Sequence, residues 1–95
     1  MREKKKDFFV VLGRKTTKKM LEFLDEHDDV QYKDLMQFAS SFTLNRILKE
    51  LMEFGLVKGY YVVEGVKEKK EWYELTEKGK KILQCLRELE EILKK

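Results

Sequence analysis

Ser40-Ser41-Phe42-Thr43-Leu44-Asn45-Arg46-Ile47-Leu48-Lys49-Glu50-Leu51, running into Phe54-Gly55-Leu56-Val57, is the stretch whose reading decides the fold. Leu44, Ile47, Leu48 and Leu51 fall on one stripe of a helix, with Met52 at its margin, while Phe42, Arg46, Lys49 and Glu53 fall on the opposite side. A serine at the start caps such a helix through its hydroxyl, and Gly55 supplies the left-handed residue that stops it, so the pattern predicts a helix over about 41–54. Glu50 and Glu53, on or near the same helix as Arg46 and Lys49, weaken the positive field there.

Upstream, Thr16 or Thr17 is the expected cap of a first long helix carrying Met20, Leu21, Phe23 and Leu24 and ending between Asp25 and Asp29. Val30-Gln31-Tyr32 reads as a very short strand, and Lys33 to Phe38 as a short helix with Leu35 and Phe38 inward. Phe8 to Leu12 is an apolar run ending at Gly13, too short for periodicity to separate helix from strand. A short helix docking onto the domain or onto a second subunit is favoured.

Downstream the pattern turns β: Val57 and Tyr60 to Val63 before a polar tip at 64–71, Trp72, Tyr73 and Leu75 after it. Thr76 then caps a final helix over about 77–94, in which Ile82, Leu86, Leu89 and Leu93 alternate four, three, four. That is a two-heptad seam, extended by Leu83 and Ile92, which suits a partner helix in a second copy but is short enough to pack within its own subunit. Phe8, Phe9, Ile82, Leu86, Leu89 and Leu93 are the candidate dimerisation residues.

With 95 residues, 41% of them charged and 42% hydrophobic, the chain holds one modest core and is expected to act as one domain over 1–95. It divides into a basic and apolar segment at 1–13, a core at 14–76 and the terminal helix at 77–95. The net charge of +3 is small, but residues 1–19 hold eight cations and two anions while residues 20–39 hold one cation and six anions. Such asymmetry suits one face for an anionic partner and another kept away from it. High Lys and Glu with one Cys and no Pro resembles a thermophile's composition only in part. The apolar runs are too short to span a bilayer and no signal segment opens the chain, so no membrane partner and a cytoplasmic location are expected.

A helix with a polar, cationic outer face followed by a basic hairpin is what a major-groove reader with a backbone grip needs. Arg46 offers a fork to guanine and Asn45 an amide to adenine. Lys58, Lys67, Lys69, Lys70, Arg14 and Lys15, with the lead at Lys4 to Lys6, are the candidates for phosphate. The residues alone leave alternatives open. Lys67, Lys69 and Lys70 alternate with Glu68 and Glu71, so cross-strand ion pairing serves them equally, and Asn45 can simply fill a flank of its helix. Phe42 on the outward face is expected to tuck against the preceding helix rather than to touch a thymine methyl. Catalysis finds no constellation: His27, between Glu26 and Asp28, suits a helix end, no base accompanies Ser40 or Ser41, the glycines form no phosphate-cradling loop, and one cysteine makes no metal cluster. No cofactor and no enzyme is expected.

The order helix, short strand, helix, helix, hairpin, helix resembles the winged helix-turn-helix transcription regulators of bacteria and archaea, the group containing the MarR, ArsR and PadR families. The resemblance rests on Thr43-Leu44-Asn45-Arg46-Ile47-Leu48-Lys49-Glu50-Leu51 leading to Gly55-Leu56-Val57, and on Tyr73-Glu74-Leu75-Thr76-Glu77-Lys78-Gly79-Lys80-Lys81-Ile82-Leu83, and covers about residues 14–84. It implies a mainly α fold with a small β-hairpin wing and a C-terminal dimerisation helix. It also implies that Ser41, Thr43, Asn45, Arg46 and Lys49 meet base edges of double-stranded DNA, that Lys67, Lys69 and Lys70 lie near phosphate or the minor groove, and that the protein is a homodimer, most simply a repressor. The cysteine and histidine clusters of metal-sensing ArsR members are absent, and the chain is shorter than typical MarR proteins. Two other uses of the same fold stay open: a protein-interaction module and a sequence-independent architectural DNA-binding protein. Nothing in the residues identifies a small-molecule effector.

Overall fold

The computed structural model describes residues 7–64 and 68–94. The Phe8 run resolves as a helix, α1 (Phe8–Leu12), capped by the Asp7 carboxylate, which accepts from the Phe9 N–H at 2.9 Å. It buries Val11 and Leu12 and sets the Phe8 ring edge-on to Phe54, with centroids 5.0 Å apart.

The next helix, α2 (Lys15–Glu26), starts two residues earlier than a threonine cap requires. Its N-cap is Arg14, with no side-chain capping bond, and Thr17 is fully buried inside the helix instead. The cause is Gly13, whose N–H closes α1 onto the Phe9 carbonyl at 3.0 Å. The chain restarts at once, which turns Thr17 onto the same stripe as Met20, Leu21 and Leu24. At the far end His27 occupies the C-cap, its Nδ1 3.0 Å from the Phe23 carbonyl and its ring stacked on Phe23, the helix-end role expected of it.

β1 (Val30–Gln31) and α3 (Tyr32–Leu35) follow, with Tyr32 opening the helix rather than closing the strand. The reason is a capping box: the Gln31 side chain bonds the first turn while the Gln31 N–H donates to Asp34 at 2.9 Å. α3 ends at Leu35, short of the expected Phe38, which still packs edge-on to Phe23. α4 (Ser41–Glu53) is capped by Ser40, whose hydroxyl accepts from the Thr43 N–H at 3.4 Å. It closes in a Schellman turn: the Gly55 N–H donates to Met52 and the Leu56 N–H to Leu51, at 3.0 and 2.9 Å, with Gly55 at φ +78°.

β2 (Val57–Glu64) and β3 (Glu68–Leu75) form the hairpin, and β1 joins the other edge of β3, giving an antiparallel sheet in the order β1-β3-β2. Val57 pairs with Leu75 at the base and Glu64 with Glu68 near the tip. Thr76 then caps α5 (Glu77–Leu93), accepting from the Gly79 N–H at 2.9 Å, while its hydroxyl donates to the Gly55 carbonyl at 2.6 Å. Gly79 is needed at this junction, because a Cβ there would stand 2.2 Å from the Leu56 carbonyl oxygen. The Thr76 and Gly79 of the Tyr73-to-Leu83 stretch thus stitch the exit of α4 to the entry of α5.

The core lies where these elements meet: Leu44, Ile47, Leu48 and Leu51 of α4 pack with Met20, Leu21 and Leu24 of α2, Leu35, Val30, Leu56, Tyr73, Leu75 and Leu83. This is a mainly helical fold with a small three-stranded sheet.

Candidate nucleic-acid interface

Because α4 commits one stripe to the core, its opposite face is fixed outward. Ser41, Asn45, Arg46 and Lys49 are all exposed there, and Thr43 is half-buried beside the Ser40 cap, its hydroxyl 3.4 Å from that of Ser40. Asn45 does more than fill a flank: its amide carbonyl accepts from the Tyr32 hydroxyl at 2.7 Å. The same hydroxyl lies 3.4 Å from the Ser41 carbonyl, so Tyr32 ties α3 to the first turns of α4. The amide NH2 of Asn45 has no protein acceptor among the described residues, and an exposed donor held at one end is well placed to meet a base edge.

Two expectations for this helix are corrected. Glu50 does not dilute the outer field. It is 4% exposed, turned inward, and takes the Arg14 guanidinium at 3.0 Å. Glu53 stays on the surface. Phe42 does not tuck against the preceding helix, for its side chain is 82% exposed. As the second residue of α4 it precedes by two the first inward position, Leu44, and two residues turn a helix by about 200°, which points the ring away from α2 and α3.

A groove between α4 and the hairpin is lined by Asn45, Lys49, Met52, Glu53, Glu71 and Tyr73. Beside it, Lys58 faces Glu74 across β2 and β3 and pairs with it at 3.3 Å. Both side chains are about half exposed, so solvent screens the pair and Lys58 can exchange Glu74 for another anion at little cost. In the strand register Lys69 stands opposite Val63 and Lys70 opposite Val62. Lys67 and the lead at Lys4 to Lys6 lie outside the described residues. Lys15 is exposed, whereas Arg14 is drawn into its pair with Glu50.

The carboxylates of the acidic stretch gather elsewhere. Asp25, Asp28, Asp29 and Glu74 line one cleft with Tyr60 and Lys80, at the end of α2. Burial, then the charges of Glu74 and Asp29, hold the Tyr60 phenol above its ordinary value. Among the described residues no cluster of His, Cys, Asp or Glu could hold a metal ion, and no helix is long and apolar enough to cross a membrane.

The candidate dimerisation residues divide. Phe8, Ile82 and Leu86 are half-buried against the core, while Phe9 is 80%, Leu89 56% and Leu93 83% exposed. Phe8, Phe9, Leu12, Ile82, Leu86 and Leu89 wall an apolar groove between α1 and α5 that also holds the exposed Cys85. On its other side α5 is clasped to α2 by Lys18, which bonds Glu90 and lies 3.7 Å from Glu22, and by Arg87 to Asp25 at 3.4 Å. Sequence reasoning missed Tyr32 as a site residue and Arg14 as a strut; Tyr32 had an available signal in its place one residue after a capping glutamine.

A helix pair with one outward polar helix, followed by a two-stranded hairpin and a closing helix, defines a winged helix. The chain belongs to the winged helix-turn-helix family, which matches it over residues 35–94. No curated protein matches the sequence. Solved structures do match in fold. A PadR-like transcription factor from Bacteroides fragilis is 20% identical, with a TM-score of 0.73 over 82% of each chain. A PadR-family transcription regulator from Clostridium difficile R20291 is 23% identical, with a TM-score of 0.70 over 83% of this chain and 90% of that one. PadR of Bacillus subtilis, solved in complex with operator DNA, is 22% identical, with a TM-score of 0.66 over 77% of this chain and 47% of that one.

Proposed function

We propose that this chain is a sequence-specific double-stranded-DNA-binding transcription regulator acting as a homodimeric repressor, with α4 in the major groove and the hairpin on the backbone or minor groove. The observation that carries the reading is the outer face of α4: Ser41, Asn45, Arg46 and Lys49 stand exposed in one row beside a hairpin bearing Lys58, Lys69 and Lys70. The Bacillus subtilis relative solved with operator DNA supports it. Arg46, Asn45, Thr43, Ser41 and Lys49 carry base readout; Lys58, Lys67, Lys69, Lys70, Lys15 and, least of these, Arg14 neutralise phosphates. Each phosphate contact steepens the salt dependence of binding by about 0.9 in the log–log slope.

Pairing through α5 and α1 supplies the dimer. Phe9, Leu89 and Leu93 together leave an apolar surface in water that a second copy covers, at a gain of roughly 1.5–3 kcal/mol for each side chain fully buried. Two readers about 34 Å apart then face successive major grooves, and the operator is a palindrome. Occlusion of a promoter by such a pair is the simplest repression.

Selection from a random duplex pool, followed by mobility shift of the selected and a random duplex at two salt concentrations, tests the reading. An enriched palindrome is the expected result. Arg46→Ala relaxes the preference more than it weakens random-duplex binding, and Lys69→Ala weakens both about equally. No binding at low salt identifies a protein-interaction module, and binding without an enriched sequence identifies an architectural protein. Leu89→Glu yields monomers by sedimentation; an unchanged dimer moves the interface elsewhere.

A further inference from the structure

We infer that Phe42 reads the 5-methyl group of a thymine in the major groove, an apolar contact set among the polar ones of α4; this rests on the DNA-binding reading above and deepens it. Phe42 shares its helix face with Asn45, Arg46 and Lys49, at spacings of three, four and seven residues. It sits in the first turn, the end of a recognition helix that contacts base edges in helix-turn-helix proteins. The Ser40 cap fixes that turn through the Thr43 N–H, and Tyr32 ties it to α3 through Ser41 and Asn45, so the ring is carried on a rigid mount.

The fold makes no use of the ring. It is 82% exposed and contributes nothing to the core. The exposed Phe9 and Leu89 border the α1–α5 groove, but Phe42 is not among the residues lining it. α4 also exposes Met52, at 43%, but in its last turn beside the hairpin; in the first turn the phenyl ring stands among polar side chains and answers to whatever α4 meets. In the major groove every base edge offers hydrogen-bond donors or acceptors, and the thymine methyl is the one apolar feature. A ring pressed on guanine, adenine or cytosine strips water from groups it cannot satisfy, whereas on thymine it buries a methyl. Chemistry thus gives the contact a preferred base. Four residues separate Phe42 from Arg46, about 6 Å along the helix axis, so the thymine lies about two base-pair steps from the base that Arg46 meets.

Uracil in place of thymine removes that methyl and changes nothing else on the edge. On the operator recovered by selection, each thymine is replaced by deoxyuridine in turn and binding is measured for the full-length wild type and for Phe42→Ala, with thermal melting of both proteins as the folding control. The expected result is one thymine per half-site at which uracil weakens the wild type about fourfold, the worth of one methyl-sized group, and leaves Phe42→Ala unaffected. Equal losses for both proteins at every thymine, or no loss for the wild type at any, overturn the assignment while leaving the regulator intact. A pool that enriches no sequence overturns the sequence-specific reading, and Phe42 as a thymine reader with it.

Discussion

α4 and α5 are built from similar material and end differently. Each pairs an apolar stripe with a charged face, but α4 buries Leu44, Ile47, Leu48 and Leu51 entirely within the subunit, whereas α5 buries Leu83, half-buries Ile82 and Leu86, and leaves Leu89, Ile92 and Leu93 in water. What α4 offers outside is mostly polar and fixed by the core behind it, apart from Phe42 and Met52. What the far end of α5 offers includes Leu89, Ile92 and Leu93, which have no cover among the described residues. The contrast separates two kinds of surface, one mostly polar and charged, the other apolar. An exposed face is informative chiefly through what the buried face has already spent.

The largest expected effect falls on the buried side of that contrast. Leu44→Ala removes a fully buried side chain and is expected to cost about 2–5 kcal/mol in chemical denaturation, while Leu93→Ala leaves monomer stability within about 0.5 kcal/mol. Equal costs would mean that α5 is folded into its own subunit more deeply than its exposure indicates. Gly79→Ala attacks the junction between the two helices, where the new methyl meets the Leu56 carbonyl, and is expected to cost about 3 kcal/mol by the same measurement.

Arg14→Ala strips the guanidinium from a carboxylate on the inner side of α4 and is expected to cost about 2 kcal/mol, whereas the exposed Lys15→Ala stays within about 0.5 kcal/mol. A neutral Arg14→Ala would make Arg14 as ready a phosphate ligand as Lys15. Tyr32→Phe releases the Asn45 carbonyl without touching the core, so operator affinity falls about threefold to tenfold in mobility shift while random-duplex binding holds.

The smallest effect concerns the α2–α5 clasp. The hydrogen bond that Lys18 donates to Glu90, opposed by burial and aided by the charge of Glu22, holds the Lys18 amine above its ordinary value. A group bound more tightly to its proton in the folded state stabilises fully below its unfolded value of about 10.4 and loses that contribution as pH rises through the higher folded value. Thermal melting should therefore show an alkaline loss above about pH 10 that Lys18→Met lacks, small because water screens the pair.

The element order was legible because hydrophobic periodicity and local punctuation agree along most of the chain. Gly55 marked the end of α4 without any knowledge of its surroundings, and Thr76 marked the start of α5. The misreadings share one cause, which is that a side chain's partner lies far away in sequence. Thr17 offered a plausible cap and became core, because the turn at Gly13 left no room for the helix to start later. Glu50 looked like a surface charge at its place on the helix, and only Arg14, thirty-six residues earlier, shows why it is inward. Phe42 was assigned to packing by its chemistry alone, and no local pattern reveals that nothing stands opposite it. Asn45 was visible as a candidate, but the hydroxyl that aims it comes from a different helix.

The Thr76 stitch leaves almost no slack between the base of the reader and the root of the last helix, since Gly55, Leu56, Thr76 and Gly79 share one knot of backbone. In a pair joined along α5, that knot works as a caliper hinge with no play. A tilt of about 10° along a lever of about 25 Å shifts its tip by about 4 Å, slightly more than one rung of the duplex ladder. Anything that alters how the twin helices lean on each other would move both copies of α4 out of step with a duplex bound across the pair.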